Sequence, residues 1–257
     1  MNFVCQQEPI EQLKLMASIR RQSIIIEGSP GCGKTYLAKQ YSEMVGIPDF
    51  QVVEPKVDAI RSSIDTCINL NEPIVLCIEN LDKGVQSASY ALLKFLEEPP
   101  ACAIVIVTCQ NIRLVPDTIV SRSNVVTLGP PIDADLALYA QSKYGPDILH
   151  SPLWGCVRTF QDVDTVSAMT SDNYKYFLSL PDVCKFRDSV SNIVWKLGHY
   201  EDNSETPIEL VIRYIMGYMK TPFVERCGIE CIRDLSQGRI APHAVLSKFA
   251  FNVKYCE

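Results

Sequence analysis

Histidine is nearly missing from this chain, with three in 257 residues, and His150, His199 and His243 stand far apart. The eleven cysteines form no Cys-x-x-Cys pair, and Cys227 and Cys231, one helical turn apart, have no histidine close by in the sequence. Together these absences exclude the ligand spacing of a zinc site. A secreted disulfide scaffold is excluded as well, because the cysteines are odd in number and spread out. Cys77, Cys102 and Cys109 lie in apolar runs, where they read as small buried hydrophobes. No apolar run approaches the roughly 20 residues that a membrane helix needs, and the first residues lack the charged, apolar and small-residue order of a secretory signal. A soluble cytoplasmic protein with no membrane contact is expected. Positive charge is short too: 24 Lys and Arg against 30 Asp and Glu leave a net charge of −6. The balance is 11 basic to 14 acidic residues up to Pro130 and 13 to 16 beyond it, so neither half is a basic nucleic-acid arm. Internal repeats and low-complexity segments are missing. What is present in quantity is apolar residue, 47% of the chain, enough for at least one sizeable core.

The most specific local pattern is Gly28-Ser29-Pro30-Gly31-Cys32-Gly33-Lys34-Thr35. It follows the apolar run Ser23 to Glu27 and precedes Tyr36 to Tyr41, which has helical spacing and no breaker. Strand, glycine loop and helix in that order are the context of a phosphate-binding loop. The glycines let backbone N–H groups turn inward around a polyphosphate, and the helix behind adds its positive dipole end. In that motif Lys34 reaches the β- and γ-phosphates and Thr35 holds Mg²⁺.

From Ser23 to Leu128 apolar strand-like runs alternate with helical stretches. Strands are expected at Ser23 to Glu27, Ile74 to Ile78, Ala103 to Thr108 and Val125 to Leu128. Helices are expected after Lys34, from Val57 to Leu70 and from Gln86 to Leu96. This alternation predicts an α/β fold with a parallel sheet covered by helices on both faces. Gly129-Pro130-Pro131 ends the pattern, and beyond it only helices are predicted: Asp133 to Tyr144, Gly155 to Met169, Asp182 to Leu197, Pro207 to Met219, Val224 to Leu235 and Pro242 to Val253. Trp154, Phe160, Trp195, Tyr214 and Tyr218 in this half read as core aromatics in preference to stacking platforms for bases.

A second string, Tyr90-Ala91-Leu92-Leu93-Lys94-Phe95-Leu96-Glu97-Glu98-Pro99-Pro100, narrows the family. With the phosphate loop it resembles the AAA+ ATPases of DNA polymerase clamp loaders, the delta-prime and gamma type subunits of the bacterial DNA polymerase III complex and their phage counterparts, which carry nearly the same string with asparagine in place of Tyr90. Pro116 to Ser123 resembles the family's segment ending in Ser-Arg-Cys, Val57 to Arg61 its helix before the second motif, and Gly155-Cys156-Val157-Arg158 its lid helix. The resemblance implies a P-loop AAA+ core over 1–129, a helical lid over 130–171 and a C-terminal helical, collar-like domain over 172–257.

Carried over by position, the resemblance makes Arg122 the arginine finger that reaches a neighbouring subunit's nucleotide, a contact worth ~10³–10⁵ in rate. Arg158 becomes the lid arginine that touches the γ-phosphate in cis, and Gln110 takes the place of the polar residue that senses it. The family's metal-binding Asp and catalytic Glu fall on Glu79 and Asn80. Glu79 retains a carboxylate for Mg²⁺, whereas Asn80 cannot accept a proton from water, and loss of a general base commonly costs ~10²–10⁴ in rate. Asp82 is a substitute carboxylate to weigh. The zinc module of the bacterial subunits is missing from Gly46 to Asn71, which holds one cysteine.

The resemblance therefore implies an ATP-binding subunit of a sliding-clamp loader, using ATP and Mg²⁺, with weak or absent hydrolysis of its own. It implies other clamp-loader subunits in a ring-shaped oligomer, a sliding clamp, and primer-template DNA met through its backbone, for which Lys83 and Arg113 are candidates against the plainer reading of solvated loop charges. An AAA+ helicase loader or replication initiator-type ATPase is the alternative, and a nucleotide-binding regulatory ATPase outside replication a third.

Overall fold

The computed structural model describes residues 7–168, 208–237, 240 and 242–255, with residues 71, 85 and 101 excepted. The chain divides into two compact units, Met1–Asp135 and Leu136–Glu257.

The first unit runs α1 (Gln7–Ser18), β1 (Ser23–Gly28), α2 (Lys34–Met44), β2 (Phe50–Val53), α3 (Val57–Leu70), β3 (Ile74–Ile78), α4 (Gln86–Glu97), β4 (Ala103–Cys109), α5 (Asp117–Val120) and β5 (Asn124–Leu128). The strands form one five-stranded parallel sheet in the order β2-β3-β4-β1-β5. Central strands of such a sheet are covered on both faces and must be apolar throughout. β3 (Ile-Val-Leu-Cys-Ile) and β4 (Ala-Ile-Val-Ile-Val-Thr-Cys) accordingly are buried at every position. Register sets Ile25 opposite Val107 on one side and Val125 on the other.

Side chains alternate between two cores, as the two-residue period of a strand requires. Ile25, Leu76, Ile78, Val105 and Val107 face the core that includes Ile60 of α3, Leu92 and Phe95 of α4 and Ile119 of α5. Ile24, Ile26, Val75, Cys77, Ile104 and Ile106 face the opposite core, with Leu13 of α1 and Leu37, Ala38 and Tyr41 of α2. Tyr41 is fully buried, and its hydroxyl donates to the carbonyls of Met16 (3.2 Å) and Arg21 (2.8 Å), tying α2 to the end of α1. The helix after β1 thus lies on one face and the helices after β2, β3 and β4 on the other. Since right-handed crossovers turn one way for a leftward step and the other way for a rightward one, β1 and its neighbour β4 send their connections to opposite faces. A crevice opens there, at the carboxyl ends of the two strands.

β2 and α1 were not foreseen by the sequence reading. β2 is a four-residue edge strand whose Val52 is exposed, too short and too little alternating to stand out.

α6 (Asp133–Tyr144) starts in the last residues of the first unit and lies mostly in the second, which continues with short 3-10 turns at Pro146–His150 and Trp154–Cys156, α7 (Phe160–Ala168), α8 (Ile208–Met219), α9 (Pro222–Gln237) and α10 (Pro242–Tyr255). The helix expected from Gly155 begins at Phe160. Its start is set by a reciprocal cap: the Thr159 N–H donates to Asp162 Oδ2 (3.0 Å), and the Asp162 N–H donates to Thr159 Oγ1 (3.1 Å). Asp162 is buried and also accepts from Arg213 of α8 at 2.9 Å, so the cap and the packing of α7 on α8 share one carboxylate. Tyr139 of α6 meets Phe160 edge to face at 5.1 Å. Phe160 and Tyr214 are buried, but Tyr218 is 47% exposed, against the core reading, because it follows the apolar run Ile208 to Ile215 into the last turn of α8. The helix expected at Asp182 to Leu197, Trp195, and the boundary between lid and collar at 171/172 lie outside the described residues.

Candidate nucleotide site

The loop after β1 is shaped by Gly31 (φ 68°) and Gly33 (φ 95°), both in the left-handed region where a side chain is disfavoured. Gly33 caps α2 without any side chain to occupy the helix's first amides, which leaves them for an anion. Lys34, 8% exposed, folds its ammonium back over the loop and donates to the carbonyls of Gly28 (2.8 Å) and Ser29 (2.9 Å). A cation and a set of inward amides at a helix start constitute an anion seat.

Thr35 stands at the first turn of α2, and Glu79 directly follows β3. Although 44 positions apart, they meet: Thr35 Oγ1 donates to Glu79 Oε1 at 2.5 Å. A hydroxyl and a carboxylate from two elements, both oxygen donors next to a phosphate seat, fit a hard divalent cation such as Mg²⁺. The residues present therefore fit the metal that the loop implies.

Asn80 departs from the strand altogether. Its backbone is left-handed (φ 48°, ψ 50°), and its N–H donates to Thr108 Oγ1 of β4 at 3.0 Å. Asparagine tolerates this conformation better than most residues, so residue identity and backbone agree, and the side chain offers no group to take a proton.

Gln110 follows β4, half-buried, and its N–H donates to Asp82 Oδ2 at 3.0 Å. Asp82, weighed above as a substitute base, is engaged elsewhere: Oδ2 also accepts from the Asn111 N–H (3.2 Å), and Oδ1 is buried with no partner among the described residues. Glu27, whose Oε1 accepts from the Ile112 N–H at 2.9 Å, is the residue that sequence reasoning missed, and the role of Asp82 on the neighbouring amides was missed with it. The available signal was an acidic residue just past one strand tip and another at the end of the strand feeding the loop.

Arg122 is exposed, with Nη2 on Glu97 Oε1 (3.0 Å) and Nη1 on the Thr118 carbonyl (2.9 Å). It precedes β5, whose first residue Asn124 pairs with Ile24 near the start of β1. The glycine loop leaves from Gly28 at the other end of β1, about 13 Å further along at the rise of a strand. Arg122 and the loop therefore occupy opposite rims of the sheet. Arg158 lies in the second unit, in the extended segment before α7. It is exposed, its N–H donates to Asp162 Oδ2 (2.9 Å), and it lines a cavity of about 930 Å³ with Arg213, Tyr214 and Lys220. Lys83 and Arg113 are exposed in the loops at the strand ends.

A five-stranded parallel sheet in this order, a glycine loop behind β1 and a hydroxyl–carboxylate pair beneath it make up an α/β fold with a phosphate-loop geometry. Residues 47–131 match the family DNA polymerase III, delta subunit, a span that takes in β2, the Glu79-Asn80 corner, the Leu96-Glu97-Glu98-Pro99-Pro100 turn and Arg122. Over that span the chain is similar to the DNA polymerase III delta subunit family. The crystal structure of a DNA polymerase III gamma subunit-related protein from Thermotoga maritima is similar in fold, with a TM-score of 0.61 and 14% identity over 95% of this chain and 98% of that one. Comparison with curated proteins finds no match. Among the described residues, no helix is long and apolar enough to cross a membrane.

Proposed function

We propose that this chain is an ATP-binding subunit of a sliding-clamp loader, one that binds Mg-ATP, hydrolyses it slowly or not at all on its own, and lends Arg122 to the next subunit of a ring. The Thr35–Glu79 contact beneath the glycine loop carries the reading, since it assembles the metal-holding pair from two distant stretches of chain. Mg²⁺, which Thr35 and Glu79 would hold, would supply charge neutralisation for the phosphates. The loop amides and Lys34 seat the triphosphate, and Glu79 orients Thr35. At residue 80 an amide stands where a base would activate water, which supports slow turnover. The rim on which Arg122 sits supports action in trans: a side chain on the far edge of the sheet from its own loop is placed for a neighbour's phosphate. Other loader subunits, a sliding clamp and the backbone of primer-template DNA are the partners this role requires, with Arg158 reporting on the γ-phosphate from the lid.

The test is equilibrium binding and turnover of Mg-ATP by the full chain, alone and with co-expressed loader subunits. Binding that disappears in Lys34→Ala, with turnover by the lone chain near background, is the expected result. Brisk, DNA-independent hydrolysis by the lone chain that Lys34→Ala abolishes would overturn the weak-hydrolysis part. Normal hydrolysis by a complex carrying Arg122→Ala would remove the finger.

A further inference from the structure

The segment after β4 leaves the sheet between two neighbours, β3 and β1, and its successive amides lose the ladder partners a strand would give them. Buried or half-buried amides need replacements. Here they are carboxylates, one from each flanking strand. Asp82, in the turn after β3, accepts from the Gln110 and Asn111 N–H groups at 3.0 and 3.2 Å. Glu27, the last side chain of β1 before the glycine loop, accepts from the Ile112 N–H at 2.9 Å and from the Thr127 hydroxyl of β5 at 3.4 Å. The next amide, that of Arg113, is taken by Asn111 Oδ1 at 3.1 Å. These bonds span 28, 29 and 85 positions of sequence, so they are tertiary clamps and not local turn chemistry.

The two acids also bear on the site's charge. Cys109 ends β4 beside them. Burial first, and then the charges of Asp82 and Glu27, push its thiol up to about 12, with Lys34 acting in the opposite sense. The clamp, the β4 tip and the phosphate-loop lysine are thus within electrostatic reach of one another. Bonds from an amide to a charged acceptor are about twice as strong as neutral ones, and Oδ1 of Asp82, buried with no partner among the described residues, marks a carboxylate turned into this loop at some cost.

We propose that Asp82, bonded to the Gln110 backbone itself, and Glu27, bonded to the Ile112 backbone two residues on, are positioning residues that hold Gln110 in register and so set how well the site distinguishes a nucleoside triphosphate from a diphosphate. The inference rests on the nucleotide-binding reading above and deepens it. On that reading Gln110 stands where the γ-phosphate is sensed, and the bonds of the two acids go to residues 110–112 and Thr127, not to the loop amides or Lys34. Loosening the clamp should therefore weaken binding of the triphosphate and spare the diphosphate.

The experiment is equilibrium binding of Mg-ATPγS and Mg-ADP to the full chain as wild type, Asp82→Asn, Glu27→Gln, Gln110→Ala and the Asp82→Asn/Gln110→Ala double variant, with amide hydrogen exchange at residues 110–112 as a readout that needs no nucleotide. Asp82→Asn is expected to weaken ATPγS about tenfold, the effect of one bond to a charged group, while ADP stays within about twofold. The double variant should bind ATPγS no more weakly than Gln110→Ala, since residues acting through one another are not additive. Exchange at Gln110 and Asn111 should quicken in Asp82→Asn, and at Ile112 in Glu27→Gln. If Asp82→Asn fails to fold, Glu27→Gln carries the same ratio test. A clamp that loosens by exchange while the ATPγS to ADP ratio holds at the wild-type value overturns the inference, as does additivity in the double variant. A wild type that binds neither nucleotide overturns the proposed function and this inference with it, whereas a wild type that binds both alongside an unchanged ratio in the variants overturns this inference alone.

Discussion

The tips of β1 and β3 lie on the same rim of one sheet, yet they have been treated differently. At the tip of β1 every feature that seats a phosphate is in place: left-handed glycines, an uncapped helix start and a buried lysine held over the loop. At the tip of β3 one member of the expected pair survives as Glu79, bonded to Thr35, and the other is replaced by an asparagine in a left-handed turn. On the proposed reading, the contrast teaches that seating a nucleotide and consuming it would depend on separate strands, so that the sheet could keep the first while giving up the second.

Four experiments strain that contrast, and pH produces the largest effect because it attacks the floor that both tips share. Cys77 in β3 and Cys109 in β4 are buried thiols pushed from an ordinary 9.0 up to about 12 by burial, with Glu79 adding at Cys77 and Asp82 and Glu27 at Cys109. Burial likewise pushes Tyr41 from 10.0 up to about 12. In the unfolded chain these groups ionise at their ordinary values, so above about pH 9 the unfolded state holds fewer protons than the folded one and stability falls with rising pH. The contribution is whole below about pH 9 and is progressively lost up to about 12. Urea midpoints should be level below that range and drop steeply within it; a flat profile to pH 11 would show that the thiols are not where the sheet puts them.

Lys34→Ala comes next and touches β1 alone. Removing a charged donor that faces a polyphosphate should weaken Mg-ATP by about 100-fold or more, two bonds at about 1.5–3 kcal/mol each, with the urea midpoint little changed. Titration calorimetry reads it, and a variant that binds like wild type would mean that the loop is not the seat. Glu79→Gln probes the bridge between the two tips. The metal-dependent part of the affinity should fall about tenfold, while binding measured in excess chelator stays as it was. Equal losses with and without metal would separate Glu79 from the cation. Asn80→Glu has the smallest expected effect. A longer acid in a left-handed turn should lower unfolding stability by about 1 kcal/mol and leave turnover where it stands. A rise in turnover would break the comparison, since it would show that the side chain and not the backbone limits the β3 tip.

Much of this was legible in the sequence because the signals are local. Ile24-Ile25-Ile26 and the Ala103 to Cys109 run announce buried parallel strands, and the glycine spacing between Gly28 and Lys34 announces the loop. Glu79 and Asn80 were placed by counting from Lys94, and the structure sets both directly after β3. What stayed hidden depends on distant partners or weak periodicity. β2 offers four residues on an edge. The start of α7 is decided by the Thr159–Asp162 cap, and Asp162 in turn by Arg213, 51 positions away. Glu97 belongs to a motif legible in the sequence, but its pairing with Arg122 across 25 positions is a product of folding. Asp82 could be read as a base from its position alone, and only the fold shows its carboxylate turned onto the amides of residues 110 and 111.

The conformation of residue 80 works as a ratchet. A codon change that restores an acid there delivers it onto a backbone bent for an amide, with the Thr108 hydroxyl already holding the bend. On the proposed reading, recovering a water-activating group would take a second change that straightens the corner as well as the first that restores the acid.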